Sequence, residues 1–463
     1  MSSVQMDSRL RGNDGGESGV VMGRYTAYPE YKDSGLEWIG QMPTDWKTAS
    51  LSKLFSIKAG GDLKTEFFSE IKTEQYPYPI YTNANDLGAV YGYTSNSIFT
   101  KNAITVSGRG EVGFAAYRDH PFDAIIRLLV LSPFKGHDCR FFTYFINSVI
   151  DFRVESSAIG QLSTQQISPY KVAFPVFEEQ TQIANFLDHE TAKIDTLIEE
   201  QQSLIRLLKE KRQAVISHAV TKGLNPQAPM KDSGVEWLEK MPKHWNAGRL
   251  TYQVDLLVDG THHSPESYPE GDYLYITAKN IKEHGFDLSN ISYISSSDHK
   301  DIYSRCSVKK SDVLYIKDGA TAGIATVNDL EEEFSLLSSV ALIRPRKHIL
   351  RSKYLKHHLN ASVFKDEMLN RLSGGAMTRF TIDGISRFSI LIPPLEEQDE
   401  IIELIEDKSL KMDTLIKQAG QAISFMEERR TALISAAVTG KIDVRHWQPA
   451  SQQKQQPAAE ATP

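Results

Sequence analysis

Apolar residues recur at a spacing of about 3.5 along two 44-residue stretches, Glu178–Thr221 and Glu396–Thr439. The first carries Leu187, Ile194, Ile198, Ile205, Leu208 and Val215; the second carries Met412, Ile416, Ile423, Met426 and Leu433. Gly420 is the one glycine or proline before the last residues of either. Each stretch is therefore predicted to be a single amphipathic helix, about 66 Å long at ~1.5 Å per residue. A helix of that length with so narrow an apolar seam needs a partner, and the other copy is the candidate. The two align without a gap at an offset of 218. Glu178-Glu179-Gln180 falls on Glu396-Glu397-Gln398, Asp195 on Asp413, and Arg212 on Arg430.

A second repeat precedes each helix. Lys32-Asp33-Ser34-Gly35-Leu36-Glu37-Trp38, with Met42-Pro43 and Trp46, returns as Lys231-Asp232-Ser233-Gly234-Val235-Glu236-Trp237, with Met241-Pro242 and Trp245. Nine of fifteen positions are identical, at an offset of 199. Asp-Ser-Gly suits a turn, and the tryptophans suit a packing clamp at the start of a domain. The order is thus Trp segment, variable region, long helix, and the same three again. A repeated frame around unlike inserts implies two equivalent positions with different specificities. The division expected is a disordered leader over 1–30, a domain over 31–177, a helix over 178–222, a domain over 223–395, a helix over 396–440 and a disordered tail over 441–463. The alternative to a disordered leader is translation from a start upstream of the natural one, for which Met22 is available.

Both inserts read as short β-type runs broken by Gly and Asn, such as Tyr78-Pro79-Ile80-Tyr81 and Ala103-Ile104-Thr105-Val106. In the first, the amide-rich loop from Thr82 to Gly88 holds Asn83 and Asn85, side chains able to read adenine edges. The loop Ser107–Gly113 sets Arg109 among glycines that allow close backbone approach, as to a phosphate. In the second, Asp259-Gly260-Thr261-His262-His263 supplies Thr261 and His262, and Thr277-Ala278-Lys279-Asn280 supplies Lys279. Asn83, Asn85, Thr261, His262 and Lys279 are the candidates for base or groove contact. Arg109, Lys317 and Arg344 are the candidates for phosphate contact, a cation beside Gly-rich or basic backbone suiting an oxyanion. Each of these loops also reads as an ordinary tight turn, and the basic run Arg344–Arg351 also as a solvated face. Adjacent histidines rarely converge on one ion, so His262-His263 argues poorly for metal.

At 463 residues the chain exceeds the size at which a single core stops growing, so several domains are expected. No run approaches the length of a membrane span. The two cysteines, Cys139 and Cys306, give neither a disulfide framework nor metal-ligand spacing, which suits a reducing cytoplasm. The net charge is −7. The two repeated stretches hold eight and ten acids against five bases each, so the remainder is close to neutral and does not exclude DNA. The chain has no Gly-x-x-x-x-Gly-Lys-Ser/Thr phosphate loop and no Asn-Pro-Pro-Tyr/Phe methyltransferase motif. Glu70-Ile71-Lys72 has the Glu-x-Lys of many nucleases, but Asp62 upstream lacks a preceding proline. No nucleophile–base pair assembles. The chain reads as non-catalytic, with no cofactor.

The doubled Lys-Asp-Ser-Gly-Leu/Val-Glu-Trp segment, Pro394-Leu395-Glu396-Glu397-Gln398 and the Asp-Gly-Thr-His of the second insert resemble the specificity subunit of type I restriction-modification enzymes. The resemblance runs from about Tyr31 to Lys441. It implies an α+β fold: two α/β target recognition domains, separated by two long helices that form an antiparallel coiled coil with a pseudo-twofold internal repeat. It implies that each domain reads one half of a split, asymmetric target in double-stranded DNA. It further implies partners, two methyltransferase subunits together with restriction subunits, which supply adenine methylation, ATP-driven translocation and cleavage. A coiled-coil scaffold that binds proteins without reading DNA would also place unlike inserts in one frame. Salt-dependent DNA binding separates the two readings.

Overall fold

The structure, a computed structural model, describes residues 25–83, 86, 88–110, 112–152, 161–370 and 379–449. The chain divides into two compact units, one of residues up to Gln201 together with those from Gln421 onward, the other of Gln202–Gly420. The two long helices are present as Phe177–Lys222 and Leu395–Val438. Each begins in one unit and ends in the other.

Every residue of the expected seam is buried or half-buried. In the first unit Ile183, Leu187 and Ile194 pack with Leu433, Ile434, Ala437 and Val438 from the end of the other helix, so the pair is antiparallel. In the second, Ile216, Ala219 and Val220 share a core with Ile401 and Ile405. An ion pair joins the helices in each unit. Arg430 Nε donates to Asp195 Oδ1 at 2.8 Å, and the equivalent Arg212 pairs with Asp413. The internal repeat is thus a repeat of contacts as well as of residues.

The Trp segments are antiparallel hairpins, Tyr31–Asp33 with Gln41–Pro43 and Met230–Val235 with Leu238–Pro242. Trp46 and Trp245 are wholly buried. Trp46 Nε1 donates to Glu179 Oε1 at 3.0 Å, and Trp245 Nε1 to Glu397 Oε2 at 2.9 Å. Gly440 and Gly223 end the long helices with positive φ, as a left-handed cap does, and each lies against the Pro and Trp of its unit's hairpin. A Cβ at Gly440 would collide with Pro43, and one at Gly223 with the Glu397 carboxylate. The glutamine after each Glu pair is buried and bonded at both its oxygen and its nitrogen. Gln180 Nε2 donates to Pro175 O and its Oε1 accepts from Asp138 N; Gln398 does the same with Pro393 O and Arg351 N, and also donates to Ile349 O.

The inserts share a fold that their sequences hide. In the first, strands Phe55–Ala59, Leu129–Pro133, Ala103–Val106 and Ala115–Arg118 lie side by side in that order, all antiparallel. In the second, Val254–Asp259, Val340–Pro345, Val313–Ile316 and Ala325–Val327 repeat the order. A second sheet, of four mostly shorter strands in the first unit and three in the second, is built on a parallel pair, Tyr78–Tyr81 with Asp123–Ala124 and Tyr273–Ile276 with Phe334–Leu336. One helix, Cys139–Val149 or Ser352–Asn360, packs on the larger sheet. Its Asn147 or Asn360 side chain closes a two-way bond with the backbone of Ala115 or Ala325.

Both expected chain ends are packed further than the sequence suggested. Tyr28 is buried and donates to Glu179 Oε1, and Ile442 and Val444 lie in the first unit's core. Asp443 N donates to Thr26 O at 2.7 Å, and Gln182 Nε2 donates to Trp447 O at 2.6 Å. The apolar residues Ile442, Val444 and Trp447, interleaved with polar ones, account for this. The beginning of the leader and the end of the tail lie outside the described residues.

Two predictions follow from this packing. Gln398→Leu leaves the Arg351 amide and two carbonyls without their partner, and is expected to cost about 2–3 kcal/mol in urea unfolding. A midpoint equal to that of the parent chain would show that the glutamine is dispensable. The second concerns acid. Burial drives the imidazoles of His357 and His358 down to about 3 from 6.5, and Leu391 N donates to His358 Nε2. The unfolded chain takes up these protons below about 6.5, whereas the folded chain refuses them until about 3. The stability linked to them is complete above 6.5 and is lost as pH falls through that window, at about 1.4 kcal/mol per unit for each. Urea midpoints at pH 7 and pH 5 should fall accordingly, with the slope shallower in His358→Asn.

Candidate nucleic-acid interface

At one end of each larger sheet the connecting loops are stitched together, and of the sequence candidates among the described residues all but Arg344 belong to these loops. In the first unit, strand Phe55–Ala59 runs into Gly60-Gly61, and Gly61 bridges Ile125 in parallel. In the second, Val254–Asp259 runs into Gly260-Thr261, and Thr261 bridges Leu337 in the same way. A Cβ at Gly60 or Gly260 would strike the carbonyl of Ala124 or Leu336, so only glycine permits this approach. Ala59-Gly60-Gly61-Asp62 is therefore the counterpart of Asp259-Gly260-Thr261-His262. Sequence reasoning missed it because the two share only one glycine.

Asn83 joins three loops of the first unit. Its Nδ2 donates to Ile126 O at 2.7 Å, while its Oδ1 accepts from Gly108 N at 2.7 Å and from Arg109 N at 3.2 Å. Two-point recognition of an adenine edge needs a free acceptor. Asn83 has spent its own on the backbone, so it braces the loops rather than reading bases. Arg109 is exposed and its Nη2 donates to Gln161 Oε1 at 3.3 Å. Asn85 lies outside the described residues.

In the second unit an ionic cluster occupies the matching junction. Lys317 is 2% exposed; its Nζ stands 3.1 Å from Asp318 Oδ2 and 3.5 Å from Asp259 Oδ2. Asp259 also holds His262 Nε2 at 3.1 Å and Arg305 Nη1 at 3.4 Å. Asp318 holds Arg379 Nε at 3.4 Å. The phosphate role expected of Lys317 is corrected: a buried ammonium neutralised by two carboxylates holds loops together. Arg344, the exception in position, is corrected likewise. It sits within strand Val340–Pro345, and Asp312 grips it at both ends, Nε to Oδ1 at 2.8 Å and Nη2 to Oδ2 at 2.7 Å, with Ser307 O accepting a third bond. The carboxylate raises its pKa above the ordinary arginine value. Thr261 is buried, and its hydroxyl accepts from His263 N at 3.1 Å, which shapes the turn. His262 and Lys279 are exposed, and among the described residues the Lys279 ammonium has no partner.

The structure thus leaves Arg109, His262, Lys279, Arg305 and Arg379 at the surface of these loops, with Asn83, Asp259, Lys317 and Asp318 beneath them. Asp259 and Asp318 were not singled out from sequence; a lone aspartate in a turn gives no sign of three-dimensional partners. In each unit the loops offer cations and backbone, and among the described residues no acid–base pair is aimed at a shared reacting position.

A family model described as the type I restriction modification DNA specificity domain matches residues 43–206 and 260–423, one copy in each half. The chain belongs to this family. The specificity subunit of the type I restriction enzyme EcoDI from Escherichia coli is 23% identical over 424 residues, covering 87% of this chain and 90% of that one. The EcoKI specificity subunit of Escherichia coli K12 is 22% identical over 435 residues with the same coverage. A putative type I specificity subunit of Mycoplasma pneumoniae, S.MpnORF89P, is 32% identical over 132 residues, 28% of this chain and 39% of that one. Among solved structures, a chain from the structural basis of complex assembly and conformational transition of the type I R-M system aligns with a TM-score of 0.63. It is 14% identical and covers 86% of this chain and 98% of its own. The HsdS subunit from Thermoanaerobacter tengcongensis aligns with a TM-score of 0.50 at 14% identity, over 87% and 98%. At these identities the structural likeness is one of fold, and it agrees with the resemblance read from the doubled frame.

The division between buried and exposed cations has a measurable consequence for this specificity-domain protein. Lys317→Met should lower stability by about 3 kcal/mol, because it strands Asp259 and Asp318, while leaving the salt dependence of DNA binding unchanged. Lys279→Ala should leave stability unchanged and reduce the slope of log affinity against log salt by about one. Titrations at two salt concentrations distinguish them, and a reduced slope for Lys317→Met would restore its phosphate role.

Proposed function

We propose that the chain is the DNA-sequence specificity subunit of a type I restriction-modification complex, and that each unit reads one half of a bipartite, asymmetric target. One observation carries this reading: two equivalent frames present loops that match in backbone position and differ in side chain. Gly61 answers to Thr261 across the parallel bridges. Arg109 answers to Asp318, since Leu162 N bonds to Gly108 O as Phe380 N bonds to Lys317 O. Equal placement with unlike chemistry is what two readers of different half-sites require.

The domains over 31–177 and 223–395 act as the readers, and the helices fix the interval between the two half-sites. Two methyltransferase subunits match the twofold frame, and adenine methylation is theirs, as no catalytic constellation is assembled among the described residues. Restriction subunits add translocation and cleavage. The setting is the cytoplasm, where the DNA is; no helix among the described residues is long and apolar enough to cross a membrane.

Replacement of Leu250–Ile392 by the matching insert of a relative tests the reading. With the methyltransferase present, sequencing of methylated adenines should show one half of the target changed and the other kept. Both halves changing together, or no target at all, would sink the two-reader account.

A further inference from the structure

A turn that no sequence signal marked stands beside the Asn83 brace. In Ile125–Leu128, Leu128 N donates to Ile125 O at 3.1 Å, and both middle residues have positive φ, 55° at Ile126 and 59° at Arg127. This is the geometry that Asn-Gly ordinarily fills in a two-residue hairpin turn. A β-branched residue there is an outlier, and strain of this kind persists only where the surroundings enforce it. They do so here. Ile126 N donates to Gly61 O at 3.0 Å, and Ile126 O accepts from Asn83 Nδ2 at 2.7 Å.

The turn presents both side chains to solvent. Ile126 is 45% exposed, and Arg127 is exposed beside it. Among the described residues the Arg127 guanidinium has no hydrogen-bond or ion-pair partner, whereas Arg109 leans on Gln161. The second unit has the same turn, with Val340 N donating to Leu337 O at 3.0 Å. Its middle residues are Ser338 and Ser339, neither with positive φ. The position is therefore shared, while its chemistry and its strain belong to one unit.

We propose that the Ile126-Arg127 turn is a base-reading element of the first unit, with Arg127 taking the O6 and N7 of a guanine and Ile126 packing on an adjacent thymine methyl. This rests on the reading of that unit as recognising a half-site. A phosphate is met by any flexible cation and gains nothing from an exposed isoleucine or a fixed backbone. A base edge needs both, because two donors must arrive in one plane and an apolar neighbour discriminates the methyl group.

The test uses the full chain assembled with its methyltransferase. Its target is first identified from methylated adenines, and binding is then titrated on duplexes carrying every single-base change. Arg127→Ala should lose about 5- to 150-fold of discrimination at one guanine of one half-site, with the other half unaffected. Ile126→Ala should relax choice at the neighbouring position. Arg127→Gly relieves the backbone and should raise the thermal midpoint while relaxing the same guanine, which separates reading from folding. Equal weakening of every duplex with a smaller salt slope would make Arg127 a phosphate anchor and overturn the proposal, as would unchanged discrimination. If the parent complex itself preferred no sequence, the half-site reading would fail first, and this proposal with it.

Discussion

The structure depends on one buried bond made twice, from an indole N–H to a carboxylate at the start of a long helix. Trp46 reaches Glu179, and Trp245 reaches Glu397, at 3.0 and 2.9 Å. Each tryptophan touches three things at once: its own hairpin, the beginning of one long helix, and the glycine that ends the other. A carboxylate in the first turn is favoured by the helix dipole, and a buried indole needs an acceptor, so each group satisfies what the other lacks. With this joint fixed, the sheets beyond it can change side chains without moving the frame that holds them.

The same loop junction is braced by different means in the two units. In the first, the neutral amide of Asn83 ties its own loop to backbone groups of two others. In the second, Asp259, Lys317 and Asp318 do so with buried charge. Neutral bonds contribute about 1 kcal/mol each, and losing one leaves an uncharged backbone group unpaired. Buried ions recover little net energy but penalise every arrangement that separates them. The ionic brace also consumes the acids that would otherwise repel a polyanion.

The frame was legible because it is written in repetition and period. The seam from Leu187 to Val215, the Glu-Glu-Gln starts and the Trp segments required no three-dimensional information. The kinship of the two inserts was not legible, because a sheet asks for alternation and turn chemistry, not identity. Asn147 and Asn360 play one part, yet their helices share apolar character and no other identical residue at that register. Cations fared worst. Lys317 and Arg344 stand in basic or Gly-rich surroundings; beside the adjacent Asp318, the acids that neutralise them, Asp259 and Asp312, lie 58 and 32 residues away in the chain. Asn83 had the right chemistry for a base and the wrong neighbours. Ile126-Arg127 is the opposite case, since no turn rule predicts left-handed backbone at isoleucine.

The interlaced path of the chain sets a timetable for its folding. The second unit, Gln202–Gly420, is continuous, and it is complete when Gly420 leaves the ribosome. The first unit is begun earlier and finished later, because its core includes Leu433, Ile434, Ala437, Val438, Ile442 and Val444. At roughly 5–20 residues per second, its half-built core waits about 10–45 s after Gln201 for the strip that seals it. During that interval Phe186, Leu187 and Ile194 face solvent on a nascent helix. The reader made first is the last to close, and its exposed seam is the point at which a chaperone, or a second copy of the same helix end, would find it.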